Sequence, residues 1–179
     1  MVKKILIAVA VVISAFLVVV ARQPSDFKIS RTASIAASPA RVFAQVNDFH
    51  RWANWSPWEK MDPDMKKTFE GPSAGPGAVS SWSGNSKVGE GKMTLLQSKA
   101  PELIQIQLDF LKPMKATNLV EFTFKREGHG TLATWSMSGK NNFMSKAFCL
   151  FMDMDKMVGG DFEKGLAALK SVAETSPKT

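Results

Sequence analysis

Residues 102–113, ELIQIQLDFLKP, carry the pattern that decides the fold of this 179-residue chain. The apolar residues of this stretch alternate with polar ones and therefore share one face of a strand: Ile104, Ile106, Leu108 and Phe110. The other face carries Gln105, Gln107 and Asp109. Such alternation predicts a sheet with one face packed on a core and the other in water.

Further strands are predicted on both sides of this one. Five stretches of similar texture are separated by glycine and proline turns, and they cover residues 66–71, 78–84, 90–100, 115–128 and 131–140. Strands so close together in sequence favour an antiparallel meander. Residues 27–36 add a strand before it, with Phe27, Ile29, Arg31, Ala33 and Ile35 on one side.

Helices flank the meander. Ser38 and Pro39 are an N-cap and first-turn pair for a helix over residues 39–47, which has Val42, Phe43 and Val46 on one face. After the last strand, residues 141–157 have helical periodicity, and Gly159-Gly160 are expected to break that helix. Asp161 is then expected to cap a final helix with the apolar stripe Phe162, Leu166, Leu169 and Val172. The fold class is α+β.

Residues 47–63, NDFHRWANWSPWEKMDP, hold three of the five tryptophans, although the chain has no tyrosine. Their spacing of three fits neither a strand nor a long helical stripe. Pro57 and Pro63 limit the segment to one short helical turn and a loop.

Several phrases resemble the START-like superfamily, in particular the SRPBCC proteins known as polyketide cyclases/dehydrases and lipid-transport proteins. They are ASPARVFAQVNDFHRWANWSPW at 37–58, VGEGKMT at 88–94, GTLATWSM at 130–137 and GGDFEKGLAALK at 159–170. The resemblance covers about residues 27–174. It implies a helix-grip fold: a curved antiparallel sheet of about seven strands wrapped round a long C-terminal helix, with an apolar cavity between them.

The resemblance places the tryptophan segment where short helices close over this cavity. Rigid rings there can line an apolar pocket while each indole N–H finds a partner at the wet rim. The predicted cavity wall comprises His50, Trp52, Trp55, Trp58, Trp82, Met93, Trp135 and Met137. The alternative is that Trp52, Trp55 and Trp58 only plug the open end of the sheet.

Catalytic chemistry has little support in the sequence. His50 and Asp48 are the best candidates for a general acid or base, and Glu90 or Glu121 could serve if their strand faces turn inward. Glu121, however, alternates with Val120 and Phe122 and is expected to face water. His50, His129 and the single Cys149 are too scattered for a metal site, so neither a metal nor a cofactor is predicted.

The N-terminal residues 5–21 form an apolar run of seventeen residues after Lys3 and Lys4. We expect residues 1–22 to be a membrane anchor or a signal segment, residues 23–26 a linker, and residues 27–175 the START-like domain. A single-pass anchor with the domain on the extracytoplasmic side fits the basic N-terminus. Secretion after cleavage near Ala21 is the alternative.

Charge adds one restriction on partners. The net charge is +7, from 23 Lys and Arg against 16 Asp and Glu, but the basic residues are spread out. A nucleic-acid site needs clustered basic residues, so no nucleic-acid partner is expected.

Three functions follow from these patterns and the resemblance. The first is a membrane-tethered carrier of a hydrophobic small molecule or lipid. The second is a cyclase/dehydratase-type enzyme acting on an apolar substrate. The third is a non-catalytic interaction domain whose cavity has collapsed.

Overall fold

The structure, a computed structural model, describes residues 1–175 as four α-helices, two short 3-10 helices and seven strands. The elements up to the second strand are α1 (Val2–Arg22), β1 (Asp26–Ile35), α2 (Pro39–Val46), the 3-10 helices Phe49–Asn54 and Pro57–Lys60, and β2 (Lys66–Glu70). The remaining elements are β3 (Val79–Ser83), β4 (Glu90–Lys99), β5 (Leu103–Lys112), β6 (Ala116–Glu127), β7 (Gly130–Lys140), α3 (Phe143–Cys149) and α4 (Met154–Thr175).

The seven strands form one antiparallel sheet in the order β1-β7-β6-β5-β4-β3-β2. The six later strands are a meander, and β1 adds to its free edge beside β7. Register shifts in the β4–β5 pair bend the sheet beside Gly91 and Leu95. In β5, Ile104 and Ile106 are fully buried, as their alternation with glutamines predicts.

The C-terminal helix α4 packs along the inner face of this curved sheet. Its buried residues include Phe162, Leu166 and Leu169, which share a core with Ile29, Phe122 and other inward side chains of the strands. One apolar face of the sheet and one apolar stripe of the helix bury each other. The helix-grip fold implied by the family resemblance is confirmed.

The helix α2 also follows the sequence pattern. Ser38 is the N-cap residue, Pro39 begins the helix, and Val42, Phe43 and Val46 are buried. The Ser38 side chain makes no capping hydrogen bond. The helix therefore begins where the Ser-Pro pair predicts, although the conformation fixed by proline and the burial of the apolar face support it without that bond.

The break predicted at Gly159-Gly160 is wrong. Helix α4 runs unbroken through both glycines, and the chain leaves helical geometry earlier, between Cys149 and Met154. Asp153 supplies the cap, because its Oδ1 accepts a hydrogen bond from the backbone N–H of Lys156 at 3.0 Å. A helix tolerates an interior glycine for about 1 kcal/mol, a cost that packing can offset.

That packing is a contact between α4 and Arg31 on β1. The Arg31 guanidinium donates to both carboxylate oxygens of Asp155, at 3.1 and 2.9 Å, and to Oε1 of Glu163 at 2.7 Å. A Cβ on Gly159 would collide with this guanidinium. Gly159 is therefore required for the close approach of β1 and not for a break in the helix.

Helix α1 is apolar and exposed along its length, apart from the buried Val20. Among residues 1–175 it is the one helix long and apolar enough to cross a membrane, a test that a signal sequence also passes. A short connection, residues 23–25, joins it to β1. Since β1 begins opposite Lys140 at the end of β7, α1 leaves the domain at the end of the sheet where α3 begins.

Candidate ligand-binding cavity

The tryptophan segment folds into the two 3-10 helices that follow α2. Asp48 begins the first, because its Oδ1 accepts the backbone N–H of His50 at 2.9 Å. Pro57 stands in the first turn of the second. These turns direct Trp52 and Trp55 into the core, where both are almost fully buried, and leave Trp58 partly exposed.

The indole N–H groups of Trp52 and Trp55 hold the C-terminal end of α2. Trp52 Nε1 donates to the carbonyl oxygen of Val46 at 2.9 Å, and Trp55 Nε1 donates to that of Gln45 at 3.1 Å. Carbonyls in the last turn of a helix have no partner within the helix, so buried ones need an outside donor. From the sequence we expected these N–H groups to find partners at a wet rim. They instead donate to buried backbone carbonyls, and this stabilising role for α2 was not foreseen.

Trp135 on β7 is the centre of the aromatic packing. Its ring stacks on Phe162 of α4, with 4.2 Å between centroids and 8° between planes. Trp52, Trp55 and Trp58 meet it edge to face, at centroid distances of 6.2, 5.6 and 5.6 Å. Trp135 Nε1 is buried and, unlike the N–H of Trp52 and Trp55, has no nitrogen or oxygen partner.

Gly165 of α4 makes this stacking possible. A Cβ at residue 165 would lie 2.6 Å from Cζ3 of Trp135 and 3.2 Å from Cδ of Pro57. The helix, the sheet and the tryptophan segment therefore meet at one glycine. Because a side chain there would push these three elements apart, Gly165 controls how closely α4 can approach the sheet.

A cavity of about 340 Å³ lies between this cluster, the sheet and α4. Its apolar wall residues are Phe49, Trp52, Trp58, Met61, Met65, Trp82, Val88, Met93, Leu108, Phe110, Val120, Trp135, Met137, Met157, Val158 and Phe162. Five of them are methionines, whose flexible thioethers suit an adaptable surface. The volume is at the lower end of the range for small-molecule sites.

Polar groups are few and mostly paired. Lys67 Nζ and Glu59 Oε2 form an ion pair at 2.6 Å, with both side chains largely shielded from solvent. Asp161 is paired with Lys164 at 3.0 Å. Ser56, Ser80 and the exposed Lys87 complete the polar part of the wall. A mostly apolar wall with paired charges suits a ligand that is itself mostly apolar.

Six of the eight residues predicted for the wall line this cavity: Trp52, Trp58, Trp82, Met93, Trp135 and Met137. The other two do not. Trp55 is 2% exposed and packs against Trp52, Trp135 and Phe122. His50 lies on the surface, where its ring stacks on Phe69 at 4.1 Å and its Nδ1 lies 2.9 Å from Oδ1 of Asp48.

The residues considered for acid–base chemistry lie outside the cavity wall. Asp48 and His50 form the surface pair just described, and Glu90 is paired with Lys112 at 2.8 Å. Glu121 accepts a hydrogen bond from Gln105 at 2.9 Å on the outer face of the sheet, which agrees with its expected orientation. Within residues 1–175, no three His, Cys, Asp or Glu side chains form a group that could hold a metal ion.

The sequence reading missed several wall residues. Met61 and Met65 lie on the loop before β2, Glu59 lies in the second 3-10 helix and Lys67 lies on the short strand β2. All of these segments are too short for periodicity to assign a face. Asp161 was expected to cap a helix and instead lies within α4 on the cavity side. Leu108 and Phe110 were not named as wall residues either, although the alternation in β5 had placed both on the inner face of the sheet.

Comparison with known proteins agrees with this architecture. The family model described as "Polyketide cyclase / dehydrase and lipid transport" matches residues 26–174. The chain therefore belongs to this family, whose members share the helix-grip fold described above. The chain matches no curated protein sequence.

Solved structures of the same fold are distant in sequence. A protein from Rhizobium leguminosarum has 13% identity and a TM-score of 0.62, over 84% of this chain and 96% of its own. The Aha1 dimer from Colwellia psychrerythraea has 14% identity and a TM-score of 0.60, over 85% and 99%. The di-domain ARO/CYC BexL of the BE-7585A biosynthetic pathway has 17% identity and a TM-score of 0.61, over 89% and 53%. At these identities the likeness shows the fold alone.

Proposed function

We propose that this protein is a membrane-tethered binding or carrier domain for a hydrophobic small molecule or lipid, which it holds in the cavity between the sheet and α4. The observation that carries the proposal is the cavity itself, about 340 Å³ in volume and walled largely by aromatic rings and thioethers. A well-packed core leaves few voids larger than a water molecule. Space of this size beside buried tryptophans supports a ligand site over a collapsed interaction domain.

The proposed binding residues are the six wall residues foreseen from the sequence: Trp52, Trp58, Trp82, Met93, Trp135 and Met137. Trp58 and Met93 are partly exposed, so a ligand can reach them without unfolding the domain. Trp52 and Trp135 are almost fully buried and form the deep part of the wall. We assign no binding role to His50 or Trp55.

The proposed tether is α1. Its 21 residues extend about 31 Å as a helix, close to the roughly 30 Å thickness of a bilayer core. In this proposal residues 1–22 are the anchor, residues 23–26 the linker and residues 27–175 the binding domain. Lys3 and Lys4 favour a cytoplasmic N-terminus and an extracytoplasmic domain. Cleavage of the segment would instead release the domain as a secreted carrier.

Native mass spectrometry of the full chain in lipid nanodiscs tests the binding function. We expect the parent to retain one apolar small molecule. Met93→Trp replaces a flexible thioether with a bulky indole ring in the cavity and should abolish retention of that molecule. Met114→Trp is the matched control, since Met114 is exposed on the turn between β5 and β6, outside the cavity wall. Its retention should equal that of the parent.

Two results would overturn the proposal. One is a parent chain from which native mass spectrometry detects no retained small molecule. The other is a retained molecule that Met93→Trp and Met114→Trp hold equally well, because that molecule would then lie outside the cavity.

A second candidate is an enzyme of the cyclase/dehydratase type. It is favoured by the carboxylates of Glu59 and Asp161, which lie in the cavity wall where a general acid or base would act. The same spectra discriminate the two functions. A carrier with Glu59→Gln or Asp161→Asn retains the same molecule as the parent, whereas an enzyme that loses its acid or base in one of these variants accumulates a molecule of different mass, its unconverted substrate.

A further inference from the structure

An exposed apolar surface lies between β7 and α4, in residues 143–152, here called the apolar segment. It contains α3 and the turn that follows, and no residue of α3 is buried. Five large apolar side chains are between 42% and 77% exposed: Phe143, Met144, Phe148, Phe151 and Met152. Soluble surfaces carry single apolar residues routinely, but a contiguous group marks a contact with a partner or a membrane.

The apolar segment lies directly against α1. The rings of Phe16 and Phe151 stack with 6.4 Å between centroids and 29° between planes. Val20, one turn further along α1, is the only buried residue of that helix. Phe16 precedes Arg22 by six residues, so Phe151 lies about 9 Å along the helix axis from its end. If α1 crosses a bilayer, that depth matches the roughly 5–10 Å to which the apolar face of an interfacial helix is buried.

Backbone pairing fixes the position of the apolar segment relative to the end of α1. Asp26, the last residue of the proposed linker and the first of β1, pairs with Lys140, which precedes the apolar segment. The backbone N–H of Asn141 donates to the carbonyl oxygen of Ser25 at 2.6 Å. The C-terminal end of the connection between α1 and the domain is therefore joined to the residues that lead into α3, which keeps α3 close to the end of α1.

We propose that the apolar segment inserts into the interfacial layer of the same membrane that α1 spans. The inference rests on the proposed tether. Three lysines lie within or beside the segment, Lys140, Lys146 and Lys156, and suit anionic lipid headgroups. Continuity with α1 selects the membrane as the occupant, because any other partner would have to compete with lipid at the height of Phe16.

This placement has a consequence for the cavity. Met157 lies in the first turn of α4, directly after the apolar segment, and it both lines the cavity and is 45% exposed. Phe110, another wall residue, is at the same end of the sheet. It pairs with Ala116 at the start of β6, and Asn118, two residues further along β6, pairs with Gly139 near the end of β7. The cavity thus borders the membrane end of the domain, and a lipid-derived ligand passes between bilayer and cavity beside Met157.

The chain's single cysteine allows a direct test, because Cys149 lies in α3. The full chain is labelled at Cys149 with an environment-sensitive thiol fluorophore and reconstituted in vesicles of phosphatidylcholine with one-fifth phosphatidylglycerol. We expect brominated lipid to quench the probe and aqueous iodide to leave it largely unquenched. A second position, Met144→Cys in a Cys149→Ser background, should give the same result, since Met144 is 64% exposed.

Two control positions in the Cys149→Ser background separate the possible failures. His129→Cys lies on the turn before β7, eleven residues or roughly 36 Å from the apolar segment along that strand, and should be quenched by iodide alone. Ser14→Cys lies within α1 and reports the tether itself. A lipid-quenched Ser14 probe with an iodide-quenched Cys149 probe overturns the insertion and leaves the tether intact. Iodide quenching at both positions overturns both proposals.

A change in the surface itself completes the test. Phe151→Asp alters the most exposed ring of the segment, so the domain should keep its melting midpoint. It should, however, shift the Cys149 probe from lipid quenching toward iodide quenching. A Cys149 probe that neither quencher reaches would indicate that a second copy of the chain covers the segment, and this would also overturn the proposal.

Discussion

The three buried tryptophans of the aromatic cluster should respond differently to the same conservative change. Trp52, Trp55 and Trp135 are all at most 4% exposed, and phenylalanine removes from each the second ring and the N–H. Their hydrogen bonding differs. Trp52 and Trp55 donate to carbonyls of α2, whereas Trp135 has no nitrogen or oxygen partner.

The magnitudes follow from this difference. Each change loses about 1 kcal/mol of packing, the cost of a small residual cavity. Trp52→Phe and Trp55→Phe also leave a buried carbonyl of α2 without a partner, which costs about 1–3 kcal/mol more. Trp135→Phe removes an unpaired donor from the interior, and the relief offsets much of its packing loss. We expect the first two variants to lose about 2 kcal/mol more than the third.

Urea unfolding of the full chain in maltoside micelles measures this difference. Circular dichroism is the signal to follow, because it does not depend on the fluorescence of the indole that each variant lacks. For a domain of this size, 2 kcal/mol corresponds to about 4–8 °C in thermal midpoint, which provides a second measurement. A Trp135→Phe variant as destabilised as Trp52→Phe would refute the reasoning, since the two N–H groups would then be equivalent.

Two further changes concern the contact of α4 with the sheet. Gly165→Ala should destabilise the domain by about 1–3 kcal/mol, because its Cβ would lie 2.6 Å from the Trp135 ring. Gly160→Ala is the control, because no atom lies within 4 Å of its added Cβ, and it should stabilise the domain by about 0.5–1 kcal/mol. If urea unfolding gave equal effects for the two alanine variants, the packing described would be contradicted. The second change is Arg31→Met, which tests the ion pair with Asp155. The hydrogen bond from Arg31 lowers the pKa of Asp155 below its usual value, so the pair stabilises the fold above about pH 4 and the contribution is lost as pH falls through that lowered pKa. The parent should therefore lose more stability than Arg31→Met between pH 6 and pH 2, and parallel pH profiles would show that the pair contributes nothing.

The sequence by itself determined the local structure and the fold class. Alternation over residues 102–113 placed Ile104 and Ile106 in the core, because a strand turns successive side chains to opposite faces whatever surrounds it. Spacing of three and four did the same for Val42 and Val46 in α2. The family phrases added the helix-grip arrangement, and the alternation of Glu121 with Val120 predicted its outward orientation.

Short and irregular segments were less predictable. Periodicity needs several residues to repeat, and the loop holding Met61 and Met65 offers none. Composition could show that residues 47–63 are rich in tryptophan, but not which indole would reach the cavity. Trp55 and His50 differ from Trp52 in environment only after the 3-10 helices have folded against α2.

Only the tertiary structure decided how the glycines of α4 act. Gly159-Gly160 look like a helix break in the sequence, because the local propensity of glycine opposes a helix. In the fold, Arg31 of β1 occupies the space that a Cβ of Gly159 would need, and Trp135 of β7 does the same at Gly165. Arg31 precedes Gly159 by more than one hundred positions, and Trp135 precedes Gly165 by thirty. Local pattern reports the conformations that a segment prefers, whereas packing between distant segments selects the one that buries the most surface at the least strain.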